Sequence, residues 1–420
     1  MANLPPIAVF IGFFPKISET WFVEQITSLI DLGVDVRLFA FNRGLPIDIS
    51  KKVRDYRLME KVTYLDFPQS RLRRFARVPF LVLKLLFNKP SALRKVFAPG
   101  FGHTPSFKYL FWTAPLVGRV EECAVVHCHF GMIANKYLVI KEILGLPQPL
   151  VATFHGQDSS KFIQQKGPQV YDQLKKEISL LLPVTNEMRD RLVRFGFSPD
   201  RARVSFMSGI VVNEIRFEER KYLPEEKFKI IFVGRFVEKK GVPDLLRALA
   251  LVVKKHPNVE AHIFGGGDDV ELNKEIERIV IDEGLAGNVI FYGMRPNDEV
   301  RVALYGAHLS VQLSKTAKNG DTDDLPVAIL EAQATGLPTL TTRHVGIPDG
   351  VEDGSTGFLV PEGDYVAASE KILYYIEHPD IIPRMSRCAR KFMEDKFDLI
   401  AIDKELIGYY KQLISSGKVI

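Results

Sequence analysis

The chain has 420 residues, 46% of them hydrophobic and 25% charged, which is an ordinary globular composition and excludes a disordered protein. A chain of this length predicts two domains, each with a core of its own. The net charge of +5 is unevenly placed, because the interval between Asp66 and Glu121 holds ten basic residues and no acidic ones, while the rest holds 46 basic and 51 acidic residues. Such a concentration of positive charge predicts an anionic partner.

The first half of the chain alternates short apolar runs with longer amphipathic segments. Strands are predicted at 7–14, 34–41, 125–129 and 150–155, and helices at 21–32, 131–144 and 169–182. Continuous apolar or β-branched runs of this length are typical of buried parallel strands. The run 7–14 is interpreted as a strand and not as a targeting signal, since no basic region precedes it and no small-residue cleavage site follows it.

The second half repeats this alternation from residue 228 onward. Strands are predicted at 229–233, 259–264, 289–292, 309–313 and 339–341, and helices at 242–255, 270–283, 299–305 and 326–335. Strands that alternate with helices of this length predict parallel sheets flanked by helices. We therefore expect an α/β protein with an N-terminal domain over 1–210 and a C-terminal domain over 225–385, and a segment 386–420 whose helix returns to the N-terminal domain.

Within the basic interval, the stretch 71–97 mixes apolar and cationic side chains. Its apolar positions are Leu72, Phe75, Phe80, Leu83, Leu86 and Phe87, and its first cations are Arg71, Arg73, Arg74 and Arg77. A helix of this pattern suits the surface of an anionic bilayer, where each basic residue contributes ~1 kcal/mol. The alternative is a solvated helical face that covers the core. A nucleic-acid partner is not expected, because no recognised binding module occurs.

The cysteines and histidines bear on compartment and metal binding. The cysteines Cys123, Cys128 and Cys388 have no paired spacing, so a reducing compartment is predicted. The longest apolar stretch outside the first strand, 79–87, falls far short of the ~20 residues of a membrane span. We expect a cytoplasmic protein, peripheral on the inner face of the plasma membrane. No metal site is expected around His127–His129, because no further ligand set with metal spacing follows.

The segment 232–246, which reads FVGRFVEKKGVPDLL, predicts a site for an anion. A strand is expected to end at Val233, Gly234 to turn the chain, and a loop with Arg235 and Lys240 to precede a helix. These cations suit a diphosphate, since arginine offers a bidentate fork, lysine a point charge and the helix start a partial positive charge. The alternative is a solvated basic loop.

The segment 321–338, which reads DTDDLPVAILEAQATGLP, predicts a helix with one unusual carboxylate. Asp324 is a candidate cap, Pro326 lies near the first turn and Gly336 ends the helix. Glu331 stands within an otherwise apolar helix. A buried carboxylate needs partners, which ribose hydroxyls would supply, and a structural ion pair is the alternative.

These two segments, followed by GIPDGVEDGSTGFLV at 346–360, resemble family 4 of the retaining glycosyltransferases, which have the GT-B fold. More narrowly, FPKISETWFVEQ at 14–25 and the form TDDLPVAILEA are similar to exopolysaccharide glycosyltransferases of the colanic-acid type. The resemblance covers nearly the whole chain and is strongest over 229–361. It implies two Rossmann-like domains that face each other across a cleft.

The resemblance also implies roles for single residues. Arg235 and Lys240 match the pair that holds the donor diphosphate, and Glu331 matches the second glutamate of the family's E-x7-E motif, which binds the donor ribose. Asp323 stands where the first glutamate contacts the transferred sugar, and its side chain is shorter by about one carbon–carbon bond. The donor-binding residues expected on this basis are Gly12, Gly234, Arg235, Lys240, Gly265, Met294, Asp323, Asp324, Leu325, Pro326, Val327 and Glu331. Backbone N–H groups of 325–327 are expected at the helix start, facing the phosphates.

The catalytic residues expected from the resemblance are His155, Arg235, Lys240 and Asp323. His155, in TFHGQD, matches a histidine beside the anomeric carbon, and the alternative is a packed histidine at a strand end. No carboxylate pair for double displacement is evident, so we expect front-face attack with retention of configuration.

The expected function is sugar transfer from a nucleotide-diphosphate sugar to a lipid-linked or polysaccharide-precursor acceptor, with no cofactor and no metal. Two alternatives remain open. One is a sugar-nucleotide epimerase of the same fold, which needs no acceptor. The other is a catalytically idle sugar-nucleotide-binding protein, which Asp323 favours, together with Val211 in place of an aspartate frequent in the family.

Overall fold

The computed structural model describes residues 4–16, 19–44, 51–98, 106–207 and 209–416. The chain divides into two compact units. The first unit comprises the residues up to Val184, Arg189–Met207 and the segment from Ile400 onward, and the second comprises Thr185–Met188 and Ser208–Leu399. Ile17 and Ser18 of the motif at 14–25 lie outside the described residues.

The first unit is built on a six-stranded parallel sheet. Its strands are β1 (Ile7–Phe14), β2 (Val36–Arg43), β3 (Val62–Tyr64), β4 (Val125–His129), β5 (Leu150–Phe154) and β6 (Leu180–Pro183). They lie in the order β3-β2-β1-β4-β5-β6. The helices of this half are α1 (Thr20–Asp31), α2 (Lys51–Asp55), α3 (Leu58–Lys61), α4 (Arg71–Asn88), α5 (Pro90–Phe97), α6 (Phe107–Thr113), α7 (Gly131–Leu144), α8 (Lys161–Lys166), α9 (Asp172–Glu177) and α10 (Asn186–Arg194).

The helix predicted over 169–182 is wrong in its second half. The chain forms a 3-10 turn at Pro168–Tyr171, then α9, and then β6, which pairs in parallel with β5. The apolar run Leu180–Pro183 is only four residues long and is buried throughout. A run this short fits a buried strand and the end of a helix equally well by periodicity, and only its pairing partner distinguishes them.

The second unit repeats the architecture with a second six-stranded parallel sheet. Its strands are β7 (Phe228–Val233), β8 (Val259–Phe264), β9 (Val289–Gly293), β10 (Leu309–Gln312), β11 (Thr339–Thr342) and β12 (Gly357–Val360). They lie in the order β12-β11-β10-β7-β8-β9. The helices are α11 (Val242–Lys255), α12 (Val270–Asp282), α13 (Asn297–Tyr305), α14 (Val327–Ala334), α15 (Ile347–Gly350), α16 (Tyr365–Glu377) and α17 (Ile381–Lys396).

Both sheets therefore have the doubly wound strand order, in which the first and fourth strands of a unit are neighbours. Successive connections depart in opposite directions from this point, and ligands of open parallel sheets bind there, outside the carboxyl ends of the strands. The relevant pairs are β1 with β4 and β7 with β10. The fold thus directs attention to the loops that follow these four strands.

Apolar periodicity explains how the loop after β7 is held. Strand β7 is buried at Phe228, Ile230, Ile231 and Phe232. Helix α11 covers the same core with Val242, Leu245, Leu246, Leu249 and Val252, which recur at helical spacing. Burial of each such side chain contributes ~1.5–3 kcal/mol. The loop between β7 and α11 is thus anchored by packed elements at both ends.

The last helix, α18 (Leu399–Ser416), contacts the core of the first unit through polar side chains. The Tyr410 hydroxyl lies 2.6 Å from His127 Nδ1, and Gln25 Nε2 donates to Asp403 Oδ1 at 3.3 Å. No helix formed by the described residues is both long and apolar enough to cross a membrane.

Candidate functional site

The loop after β7 brings its second lysine to the end of β10. A 3-10 turn at Glu238–Lys240 leads into Gly241, which has φ of 68° and precedes the first residue of α11. A Cβ on Gly241 would lie 1.8 Å from the carbonyl oxygen of Leu313. Glycine is needed here both for the backbone angle and for this close approach.

Lys240 and Asp323 form an ion pair at this point. Lys240 Nζ lies 2.5 Å from Asp323 Oδ2, and both side chains are about 85% shielded from solvent. Gln312 Nε2 and Ser314 Oγ each lie 3.4 Å from the same carboxylate oxygen. Burial disfavours the charge of Asp323, but the ammonium groups of Lys240 and Lys239 outweigh it and hold the pKa of this carboxyl below its usual value. Asp323 is therefore an ionised group at neutral pH.

Arg235 contrasts with the lysines of the same loop. Its side chain is exposed, and in the described part of the chain it has no ion pair or hydrogen bond. Lys239 instead donates to Asp321 Oδ1 at 3.1 Å and to the Thr322 carbonyl at 2.9 Å. An anion can therefore bind Arg235 without breaking an existing pair, whereas it must share Lys240 with Asp323.

Three glycine-rich turns meet beside this loop. Gly234 N donates to the Phe264 carbonyl at 2.9 Å, and Gly265 N donates to the Gly293 carbonyl at 2.9 Å. Gly265 has φ of 137°, and a Cβ on it would lie 1.8 Å from the Gly234 carbonyl oxygen. The exposed Met294 follows β9, and a Cβ on Gly266 would lie 3.6 Å from its Cγ atom. The structure thus groups Gly234, Gly265 and Met294.

The start of α14 differs from the prediction in two respects. Asp324 is buried but is not the N-cap of the helix, which is Pro326 in extended conformation. Pro326 has no amide hydrogen, so the donors predicted at 325–327 cannot include it. Val327 is the first helical residue, and the Ile329 amide already donates to the Pro326 carbonyl at 3.0 Å.

The remaining residues of this segment have the following places. Leu325 is buried, and a Cβ on Gly350 would lie 2.5 Å from its Cδ1 atom. Glu331 is half-buried on α14, four residues after Val327. Residues four apart on a helix share a face, so Glu331 lies on the side of Val327.

Sequence reasoning missed a histidine that positions Asp323. His344 is fully buried after β11, and its Nε2 accepts the backbone N–H of Asp323 at 3.1 Å. Because Nε2 accepts this bond, the ring proton lies on Nδ1, which donates to Glu362 Oε1 at 2.6 Å. His344 follows a predicted strand, as the other site residues do, and this was the one signal that could have identified it.

Two of the expected residues, Gly12 and His155, belong to the first unit. Gly12 lies within β1, where a Cβ would be 3.4 Å from Ile133 Cδ1. His155 follows β5, and its Nε2 lies 3.1 Å from His129 Nδ1. Its ring stacks on Trp21 with centroids 4.0 Å apart. Burial, with a smaller effect of His127, lowers the pKa of His155 to about 3, so the ring is neutral at physiological pH.

The neighbouring His127 is a packed, hydrogen-bonded residue. Its Nε2 lies 2.7 Å from Thr153 Oγ1, its Nδ1 bonds to Tyr410, and burial lowers its pKa to about 3. Over the ranges that the structure describes, no group of three His, Cys, Asp or Glu side chains is arranged to hold a metal ion.

The acceptor and membrane candidates Arg71, Arg73, Arg74 and Arg77 all lie on α4.

Comparison with known protein sequences shows what the chain is similar to. Residues 213–392, which include the loops after β7 and β10, match the model for glycosyl transferases group 1. The chain is 29% identical over 394 residues to the amylovoran biosynthesis glycosyltransferase AmsK of Erwinia amylovora, with 92% of this chain and 94% of that protein covered. It is 28% identical over 407 residues to a protein of Salmonella typhimurium named as a colanic acid biosynthesis glycosyltransferase, WcaL, with 95% and 98% covered.

Solved structures agree on the fold. Anabaena HepE in complex with UDP-glucose has a TM-score of 0.70 at 17% identity, with 97% of this chain and all of that chain covered. Sucrose-phosphate synthase of Thermosynechococcus elongatus has a TM-score of 0.68 at 18% identity, with 98% of this chain covered. The two doubly wound sheets and the sequence match agree: the chain has the GT-B fold, and over residues 213–392 it is similar to the glycosyl transferases of group 1, family 4 of the retaining enzymes.

Proposed function

We propose that the chain transfers a sugar from a nucleoside-diphosphate donor to a growing polysaccharide precursor, with retention of anomeric configuration. The observation that carries this proposal is the arrangement after β7 and β10: the exposed Arg235, whose side chain has no partner among the described residues, lies in the same loop as Lys240, which pairs with Asp323. Two cations and one ionised carboxylate match a donor that carries a diphosphate and a polyhydroxylated sugar.

The cations are proposed to bind the diphosphate and to stabilise the charge that develops as it leaves. Arg235 can bind two phosphate oxygens through its planar fork, and Lys240 adds a point charge. Charge stabilisation of this kind commonly accelerates an enzymatic reaction more than any other single effect. No metal is needed for this role, because the side chains provide the positive charge.

The rest of the donor is proposed to lie along the neighbouring loops. Asp323 accepts hydrogen bonds from hydroxyls of the transferred sugar, and Glu331 does the same for the ribose. The backbone of Gly265 and the loop at Met294 meet the nucleoside. His155 acts as a neutral hydrogen-bonding group toward the sugar, since its lowered pKa excludes a charged ring at neutral pH. Front-face attack follows from the resemblance to retaining enzymes.

The relatives suggest the class of acceptor. AmsK and WcaL are named for the biosynthesis of the exopolysaccharides amylovoran and colanic acid, and both match the chain over more than nine-tenths of its length. We infer a lipid-linked saccharide as the acceptor. HepE is described in complex with UDP-glucose, so UDP-sugars are the first donors to test.

The proposal is tested in two stages. A thermal-shift panel of UDP and GDP identifies the base, and the matching sugar nucleotides are then incubated with lipid-linked oligosaccharide acceptors. Proton NMR of the product is expected to show the anomeric configuration of the donor. Free isomers of the sugar nucleotide without acceptor would indicate an epimerase, and binding without turnover on any acceptor would indicate an idle binding protein. Either result would contradict the proposal.

A further inference from the structure

Helix α4 carries two apolar stripes on opposite sides. One consists of Leu81 and Leu85, which are buried, with the half-buried Val78 on the same side. The other follows the spacing 72, 75, 79, 83 and 86, with 80 and 87 beside it, and every one of these residues is exposed. A surface helix needs only the first stripe to attach to its core, so packing in this unit leaves the second stripe unexplained.

The exposed stripe is large. Leu72 is 82% exposed, Phe75 72%, Phe80 70% and Phe87 79%. Single exposed apolar residues are ordinary, but a contiguous set of this size marks an interaction surface. We call the six side chains of Leu72, Phe75, Phe80, Leu83, Leu86 and Phe87 the outer face of α4.

The cations beside the outer face are mostly free to bind a partner. The exposed side chains of Arg71 and Arg73 have no ion pair or hydrogen bond within the described ranges. Arg77 lies 3.9 Å from Asp66 in a solvent-exposed pair. Arg74, however, turns toward the protein, where its guanidinium lies over the Phe67 ring at 4.9 Å and donates to the Gln69 carbonyl. The four arginines grouped by the sequence analysis therefore do not act alike.

We infer that the outer face of α4 inserts into the interfacial region of an anionic lipid bilayer, with Arg71 and Arg73 bound to lipid headgroups. Aromatic and leucine side chains enter the headgroup–acyl boundary, and arginines at the helix margin pair with phosphates. The basic interval between Asp66 and Glu121 supplies ten positive charges and no negative ones, so charge complementarity favours this surface. The inference specifies where the proposed lipid-linked acceptor is met, and it rests on the proposed function only in that respect.

A second copy of the chain fits this face less well. A two-fold contact through α4 would place the same cations opposite each other, because an isologous interface pairs a patch with itself. No acidic side chain of the interval is present to compensate for them. An anionic bilayer offers the opposite charge together with an apolar layer.

Flotation of the full-length chain with lipid vesicles tests the inference without any donor or acceptor. Vesicles of phosphatidylcholine with 30% phosphatidylglycerol are compared with vesicles of phosphatidylcholine alone, at low and high salt. The triple variant Leu72→Ser, Phe75→Ser, Phe87→Ser is expected to partition onto vesicles more weakly, by at least about tenfold for each side chain replaced. Tenfold corresponds to the lower end of the free energy that burial of one such side chain contributes. The matched control is Val270→Ser, Ile281→Ser, Val302→Ser, which removes three comparably exposed apolar side chains from helices of the second unit and should float as wild type.

The contribution of charge is tested separately. The double variant Arg71→Gln, Arg73→Gln is expected to bind anionic vesicles about 25-fold more weakly, since each cation contributes about fivefold. The exposed cations Lys221 and Lys255, replaced by glutamine, serve as its control.

Three outcomes would overturn the inference: wild type that does not float with anionic vesicles at low salt, a triple variant that floats like wild type, or sedimentation equilibrium in which the triple variant abolishes a dimer without changing flotation. Donor binding measured on the same samples is expected to be unchanged in the variants. A failure of membrane binding is thereby distinguished from a failure of the proposed function.

Discussion

The two sheets of this protein have the same strand order, but the carboxyl ends of their strands carry opposite kinds of chemistry. In the first unit, β4 ends in His129 and β5 is followed by His155, and both rings lie beside Trp21 and are held neutral by burial. In the second unit, loops follow β7 and β10 in which the Asp323 carboxylate stays ionised, paired with Lys240. The same topology therefore serves an uncharged and a charged surface.

Strand order therefore sets the location of a binding site but not its electrostatics. Burial against aromatic rings removes charge from the histidines, because a charged imidazole would lose its hydration there. A carboxylate buried to a similar degree stays charged when a lysine lies 2.5 Å away. The following experiments test this contrast, beginning with the largest expected effect.

Removal of either cation in the second unit should have the largest effect. Arg235→Ala and Lys240→Ala are each expected to lower kcat on the order of 100–1,000-fold, as loss of one group that stabilises a leaving charge does in other enzymes. Arg235→Ala is the cleaner variant, since Lys240→Ala also leaves Asp323 without its closest cation. Lys254→Ala, on the exposed end of α11, is the matched control. Near-normal turnover in both variants would show that the diphosphate binds elsewhere.

Asp323→Asn should have the next largest effect. It keeps the shape of the side chain but removes the charge, and a hydrogen bond to a charged group contributes ~1.5–3 kcal/mol, so kcat/KM is expected to fall about 10- to 100-fold. Asp321→Asn is the control, because Asp321 pairs with Lys239 in the same loop. Equal losses in the two variants would indicate that the loop is merely disturbed.

The neutral histidines should make the protein sensitive to acid. A histidine whose folded pKa is lowered binds its proton more readily in the unfolded chain. The native state is therefore fully stable above pH ~6.5 and loses stability as the pH falls below this value. For His127, whose folded pKa is about 3, the free energy of unfolding falls by ~1.4 kcal/mol for each pH unit below ~6.5, until the pH reaches the folded pKa. Thermal unfolding of His127→Gln between pH 4 and 7 should therefore depend less steeply on pH than that of wild type.

Asp158 acts in the opposite direction. Burial raises its pKa to about 6, in spite of the hydrogen bonds it accepts from the Gly131 and His155 amides. Because Asp158 binds its proton more readily in the folded chain, it stabilises the native state as the pH falls through 6. This effect opposes the loss of stability caused by His127, His129 and His155. Acid stability that improves below pH 6 would mean that the histidines are not neutral in the folded chain.

His155→Gln should give the smallest effect. Loss of one neutral hydrogen bond costs ~0.5–1.5 kcal/mol, so kcat is expected to fall about two- to tenfold. Since burial already holds the wild-type ring neutral, the pH–rate profile between 5.5 and 8 should keep its shape in the variant. Disappearance of an ionisation near pH 6.5 in His155→Gln would instead identify the histidine as a titrating acid or base.

Where the sequence predicted a strand or helix, the bounds are mostly close, because the apolar runs of these elements are continuous or strictly periodic. The bounds of β1, β4, α7, β8 and α11 are those predicted. It failed where a choice depended on a distant partner. The strand Leu180–Pro183 is defined by its pairing with β5, and the N-cap expected at Asp324 is instead Pro326, because the helix begins at Val327.

The alternation of strands and helices, the basic interval and the residue types that follow each strand can all be read from the amino-acid sequence. These are local properties, set by periodicity and by the short motifs around Arg235 and Glu331. Only the tertiary structure decided which side chains meet: that Lys240 pairs with Asp323, that His344 holds the Asp323 backbone, and that burial keeps His155 neutral. The physical reason is that parallel strands bring their carboxyl ends to one edge, so groups more than eighty residues apart become neighbours through pairings that no local pattern encodes.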